Sequence, residues 1–229
     1  VYRDACVHCG ACSDKGHYFL GTGDPKNMPV ARQDLMRAVY RRYFTFAGKH
    51  FPKLVGARDM TKDVLDDWYA YYHQCSECRR CSVFCPYGID TAEITMAARE
   101  IMDSVGLGQK YSNEIIGKVH KIGNNLGLPG PALEDTLLGL EEDVKEETGV
   151  DVRYPLDAKG AEVLLVTPSA DFFAEPHVDS LIGYGKVFHA AGISWTLSSM
   201  ASEAGNFGMF IGNYEQMRKI ALRIREAAL

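Results

Sequence analysis

Every cysteine of this 229-residue chain lies in one of two short runs, CVHCGACSDKGH from Cys6 to His17 and CSECRRCSVFCP from Cys75 to Pro86. The second run follows C-x2-C-x2-C-x3-C-P, the spacing at which closely wound thiolates take the corners of a [4Fe–4S] cubane. The first run repeats C-x2-C-x2-C through Cys6, Cys9 and Cys12, but glycine occupies position 16, where a fourth cysteine would complete it. Two such sites side by side would pass single electrons.

In two-cluster ferredoxins the Pro-linked cysteine of one run ligates the cluster of the other. Under that rule Cys6, Cys9, Cys12 and Cys85 form a complete four-thiolate site, whereas Cys75, Cys78 and Cys81 need a ligand from position 16. Gly16 has none to offer. The second site is therefore expected to hold a [3Fe–4S] cluster, or a [4Fe–4S] cluster completed by a non-cysteine ligand or by a thiolate from outside this sequence. His17 and Asp14 are the local candidates. Zinc is the competing occupant, because it favours closed sites of cysteine and histidine; paired C-x2-C knuckles would serve it, and the triple spacing exceeds that need. Disulfides are disfavoured, since seven cysteines at these short intervals suit convergence on metal in a reducing compartment better than bridging.

The remainder of the chain must hold these runs in place. With 46% hydrophobic and 24% charged residues it has an ordinary globular composition, and a net charge of −5 gives no reason to expect nucleic-acid binding. No apolar run approaches the ~20 residues of a membrane helix, and the opening VYRDACVHCG lacks a signal-peptide layout. The chain does not begin with Met, so it is expected to be part of a longer protein.

Apolar residues at helical spacing predict a helix over 30–46. A second follows Thr61 and delivers Cys75, and a third follows Asp90, an N-cap with Glu93 three residues on. Residues 112–126 and the acidic 131–148 add two more, so the first 150 residues read as all-helical. Near Asp157 the pattern changes: EVLLVT reads as a buried strand, then come a helix over 177–191, the strand-like ISWTLS, and a helix from Tyr214 to the end. The expected organisation is mainly α: a helical ferredoxin domain over 1–156, then the beginning of a parallel α/β domain over 157–229. Two strands fall short of a usual sheet.

Other segments carry weaker signals. Arg79 and Arg80 read as solvated surface. Residues 32–62 hold eight Lys/Arg against two Asp/Glu, interleaved with Tyr40, Tyr43, Phe44, Phe46 and Phe51. That mixture suits anionic headgroups or a membrane subunit as well as it suits an ordinary helix with an aromatic core face. The Gly-rich Ser202–Glu215 lies between a strand and a helix and lacks a phosphate-loop motif. His120, His177 and His189 have no ligand spacing.

Two ferredoxin-type runs separated by 62 residues resemble the helical ferredoxin domain of heterodisulfide reductase-like proteins. The stretches GTGDPKNMPVARQDLMRAVYRRYFTF, QCSECRRCSVFCPYGIDTAEI and VTPSADFFAEP are similar to the DsrK family, the iron–sulfur subunits of membrane-bound DsrMKJOP complexes in dissimilatory sulfur metabolism. The resemblance implies electron relay between a membrane quinone/haem b subunit (DsrM-like) and a disulfide or trisulfide on a DsrC-like carrier. It also implies a location on the inner, cytoplasmic face of the membrane, peripheral through partner subunits. Family members perform the disulfide chemistry on a further cluster held by cysteine-rich motifs in their C-terminal half. This chain has no cysteine after Cys85, so no residue here is assigned a catalytic role. The alternatives are an iron–sulfur subunit of another quinone-linked oxidoreductase and a zinc-stabilised interaction module without redox function.

Overall fold

A computed structural model describes residues 5–229. Packing divides the chain into two units, one of residues up to Gln109 together with Phe210–Asn213, the other of Lys110–Met209 with Tyr214–Leu229.

The first unit is helical. After a 3-10 turn at Ser13–Lys15, α1 spans His17–Thr22, and a second 3-10 turn, Pro25–Asn27, leads into α2, Pro29–Phe44. The short α3 (Phe46–His50) follows at once, then α4 (Lys62–His73), the single-turn α5 (Arg80–Val83) and α6 (Thr91–Ser104). The core lies where α2, α4 and α6 meet, with Val39, Val64, Trp68, Tyr72, Ala98 and Met102 buried together. Asp90 caps α6, accepting a hydrogen bond from the Ala92 amide at 2.9 Å, as the Asp-x-x-Glu pattern predicts. Thr61 stands at the N-cap of α4 but makes no side-chain cap bond.

Polar side chains buried in this unit act on the end of α4. The last carbonyls of a helix have no partner within it. Here Arg32, from α2, donates to the Tyr71 carbonyl at 2.7 Å, and Arg99, from α6, donates to that of Tyr72 at 2.7 Å. Arg99 also reaches the Cys75 carbonyl. Two cations thus clamp the negative end of the helix that delivers the second cysteine run.

The second unit contains α7 (Lys110–Ile122), α8 (Gly130–Thr148), β1 (Val163–Leu164), α9 (His177–Ala191), β2 (Trp195–Thr196), α10 (Phe207–Phe210) and α11 (Tyr214–Ala228). The strands pair in parallel, Val163 opposite Trp195, with an isolated parallel bridge from Leu156 to Leu197 alongside. Leu133, Leu137 and Val144 of α8 share a core with Tyr154, Leu181, Trp195 and Leu197. The secondary-structure type changes near Asp157, but packing divides the chain earlier, at Lys110, because α8 buries its apolar face in the core that covers the strand pair.

Candidate metal centre

The two cysteine runs fold in the same way. The second residue after Cys6 is His8 and the second after Cys75 is Glu77, and both sit at positive φ, 57° and 58°. The fourth residues after the same cysteines, Gly10 and Arg79, do so too, at 80° and 58°. A non-glycine residue held there costs on the order of 1–3 kcal/mol. In return the chain curls around its sulfurs: the Glu77 amide donates to Cys75 Sγ at 3.4 Å. All seven cysteines are free thiols.

Each run borders a cavity within the first unit. The first is walled by Cys6, Cys9, Cys12, Cys81 and Cys85, with Val7, Val30 and Ile89. The second is walled by Cys75, Cys78 and Cys81. Around it stand Lys15, Gly16, His17, Arg32, Glu77 and Arg79. Cys85 thus stands with the first run and Gly16 with the second, and Cys81 belongs to both walls. Of the two local substitutes, His17 borders the second cavity; Asp14 is absent from its wall and pairs with Lys15 at 2.9 Å.

The thiols feel one another. Burial, then the proximity of Cys81, with Cys6 and Cys85, pushes the Cys12 thiol up to about 11. Cys81 is raised as well, by burial and by Cys75 and Cys78, against hydrogen bonds from Thr91 and Ser82 that lower it. Closely set, partly buried thiols resist ionising together unless a cation compensates them, so metal binding here would displace protons. The thiols border two cavities, with Cys81 on the wall of each.

Glu77 carries no motif signal, and sequence reasoning passed it over. Its side chain is 3% exposed and that of Arg99 2%, with Oε1 standing 3.0 Å from Arg99 Nη1. The two form an ion pair, and neither carboxylate oxygen has a hydrogen-bond donor among the described residues. Burial pushes its carboxyl up to about 7, against the lowering influence of Arg99 and Arg79. Arg79 is exposed, as the sequence reading expects, and pairs with Asp90 at 3.4 Å; Asp90 also accepts from Ser82 Oγ at 2.8 Å, tying the second loop to the start of α6.

Two other sequence signals resolve into packing. In the Gly-rich stretch, a Cβ at Gly208 would lie 2.5 Å from the Met217 amide nitrogen, so that glycine serves close backbone approach within the second unit. His120 bonds Gln216 at 2.6 Å.

Residues 3–89 match the family described as the 4Fe-4S dicluster domain. The chain therefore carries an iron–sulfur ferredoxin domain over the segment that forms both cavities. Among individual proteins it is similar along its whole length to Hdr-like menaquinol oxidoreductase iron-sulfur subunit 2 of Archaeoglobus fulgidus, 49% identical and covering 42% of that protein. The corresponding protein of Archaeoglobus profundus is 46% identical, again over 100% of this chain and 42% of the relative. A more distant relative belongs to the dihydromethanophenazine:CoB–CoM heterodisulfide reductase of Methanosarcina barkeri, one of whose polypeptides is 27% identical over 66% of this chain and 36% of its own length. The chain thus spans about two fifths of the length of the Archaeoglobus relatives. No solved structure matches it. No helix among the described residues is long and apolar enough to cross a membrane.

Proposed function

We propose that this chain is the electron-relay part of a heterodisulfide reductase-like subunit serving a quinol-linked membrane complex. Cys6, Cys9, Cys12 and Cys85 would hold a [4Fe–4S] cluster in the first cavity. Cys75, Cys78 and Cys81 would hold a cuboidal cluster in the second, either three-iron or completed at the Gly16 corner by a non-cysteine ligand, His17 being the candidate at that wall. When bound, these clusters supply one-electron storage. The chain's own residues set their spacing and surroundings, and Cys81, bordering both cavities, keeps the two sites adjacent.

Electrons would come from menaquinol through a haem b subunit of the DsrM type. They would leave towards a cysteine-based disulfide or trisulfide, on a DsrC-type carrier if the chain is a DsrK-type member of a DsrMKJOP-like assembly. On this reading the protein works at the inner face of the membrane. The quinol link rests on the names of the Archaeoglobus relatives, and the carrier on the motif resemblance.

The observation that carries the proposal is the exchange of partners between the runs, Cys85 on the wall of the first cavity and Gly16 on that of the second. Its test is EPR of anaerobically purified protein with iron and sulfide counted on the same sample, for the native chain and for Cys85→Ser. The substitution should perturb one signal and leave the other unchanged. Colourless protein with stoichiometric zinc and no sulfide would establish the non-redox alternative instead.

A further inference from the structure

The first unit leaves the surface over Phe44–Leu54 strongly apolar. Over Phe44–Leu54, Phe44 is 70% exposed, Phe46 76%, Phe51 55% and Leu54 84%. These four large side chains fall within eleven residues. Single exposed apolar residues are ordinary, whereas clustered ones mark a contact surface.

The backbone beneath is closely packed. A Cβ at Gly48 would lie 1.8 Å from the Arg41 carbonyl oxygen, so α3 is seated directly on the last turn of α2. Thr45 locks the junction, donating to the Arg41 carbonyl at 2.8 Å and accepting from the Gly48 amide at 3.1 Å. The Phe46 and His50 rings pack at 4.5 Å, and a turn from Phe51 to Leu54 closes with a 3.1 Å backbone bond.

Charge selects what this surface meets. Residues 41–58 contain Arg41, Arg42, Lys49, Lys53 and Arg58 and no acidic residue, in a chain of net charge −5. The three arginines are engaged: Arg41 with the Val55 carbonyl, Arg42 with Asp59 and Arg58 with Asp67. Lys49 and Lys53 make no ion pair among the described residues and are set among the exposed aromatics. Lysines flanking exposed Phe and Leu suit an anionic bilayer, where the apolar side chains enter the acyl boundary and the ammonium groups remain among the headgroups.

We propose that Phe44–Leu54 is an interfacial anchor that binds anionic lipid directly, independently of the clusters and of any membrane subunit. The test is co-sedimentation of the full iron-loaded chain with phosphatidylglycerol/phosphatidylcholine vesicles against pure phosphatidylcholine. Binding should favour the anionic vesicles and fall with added salt. Lys49→Gln with Lys53→Gln should weaken it about thirtyfold, each lysine being one surface cation lost. Phe46→Ser with Leu54→Ser should weaken it by roughly tenfold or more. Both pairs replace exposed side chains, so iron content and circular dichroism should stay at native values. No vesicle binding, equal binding to both compositions, or binding unchanged by both pairs would overturn the proposal and reassign the surface to a protein partner or to further chain.

Discussion

The two cysteine cavities share a backbone and differ in chemistry. Both loops turn through positive φ at the second and fourth residues after their first cysteine. The first cavity is finished with Val7, Val30, Pro86, Tyr87 and Ile89, a neutral and largely apolar wall. The second is bordered by Lys15, Arg32, Glu77 and Arg79, and has glycine where the other has its fourth thiol. The loop geometry repeats while its surroundings differ. Since cluster potential follows net charge, hydrogen bonding to sulfur and exposure, the arrangement separates two sites that spacing alone would make equivalent.

The largest effect should come from taking metal away. Thiols from both runs meet at the first cavity, so cluster binding there would be folding energy, on the order of 10 kcal/mol by analogy with small metal sites. Iron-stripped protein should lose much of its helical circular dichroism. An undiminished signal would mean that the α2–α4–α6 core stands alone and that neither cavity needs occupancy. Cys78→Ser and Cys9→Ser then sharpen the contrast: the first should affect the signal of the second site, the other that of the first.

Next in size is the clamp peculiar to the second loop. Arg99→Leu should destabilise the protein by about 3–5 kcal/mol, because it leaves the Glu77 carboxyl buried without its cation, so that it must take up a proton or remain an unpaired charge, and frees the carbonyls at the end of α4. Adding Glu77→Leu should recover much of the loss. Denaturant unfolding of both variants measures this, and a single variant as stable as the native protein would show that Glu77 finds other compensation.

A subtler effect should appear in the potentials. Three cations against one carboxylate, with one thiolate fewer, stabilise the reduced state, so the second site should titrate at the higher potential. Above about pH 8, where Glu77 is ionised, Glu77→Gln removes a negative charge and should raise that potential further while leaving the first almost unmoved. Stepwise reduction followed by EPR reads both values, and equal potentials would dissolve the distinction.

Much of the scaffold was legible because helical periodicity and capping are local. Apolar spacing placed a helix over 30–46 where Pro29–Phe44 forms, and Asp90 marked the start of α6. The cysteine spacing also announced the iron–sulfur domain. What stayed hidden depends on distant partners. Arg32 and Arg99 look like surface residues until they meet the end of α4, and Glu77 reads as a spacer within C-x2-C until Arg99 faces it. The place of α8 in the second unit is equally invisible locally, since its apolar stripe does not say which core it covers.

Gly16 offers the finest test of the comparison. Its φ of −82° and ψ of 114° suit any residue, so no backbone constraint demands glycine there. An added Cβ would sit 3.3 Å from the Asn27 carbonyl oxygen and from Pro29 Cδ, which is tight but relieved by a shift of a few tenths of an ångström. Gly16→Cys should therefore fold with a stability change of about 1 kcal/mol or less, and it places a fourth thiol on the wall of the second cavity. If that site is three-iron, the oxidised EPR signal should disappear in the variant and the iron count should rise by one. If the spectrum and count stay unchanged, another ligand already completes the site, and His17→Ala becomes the variant expected to alter it. Either result also decides whether the two cavities differ in iron count or only in the charges around them.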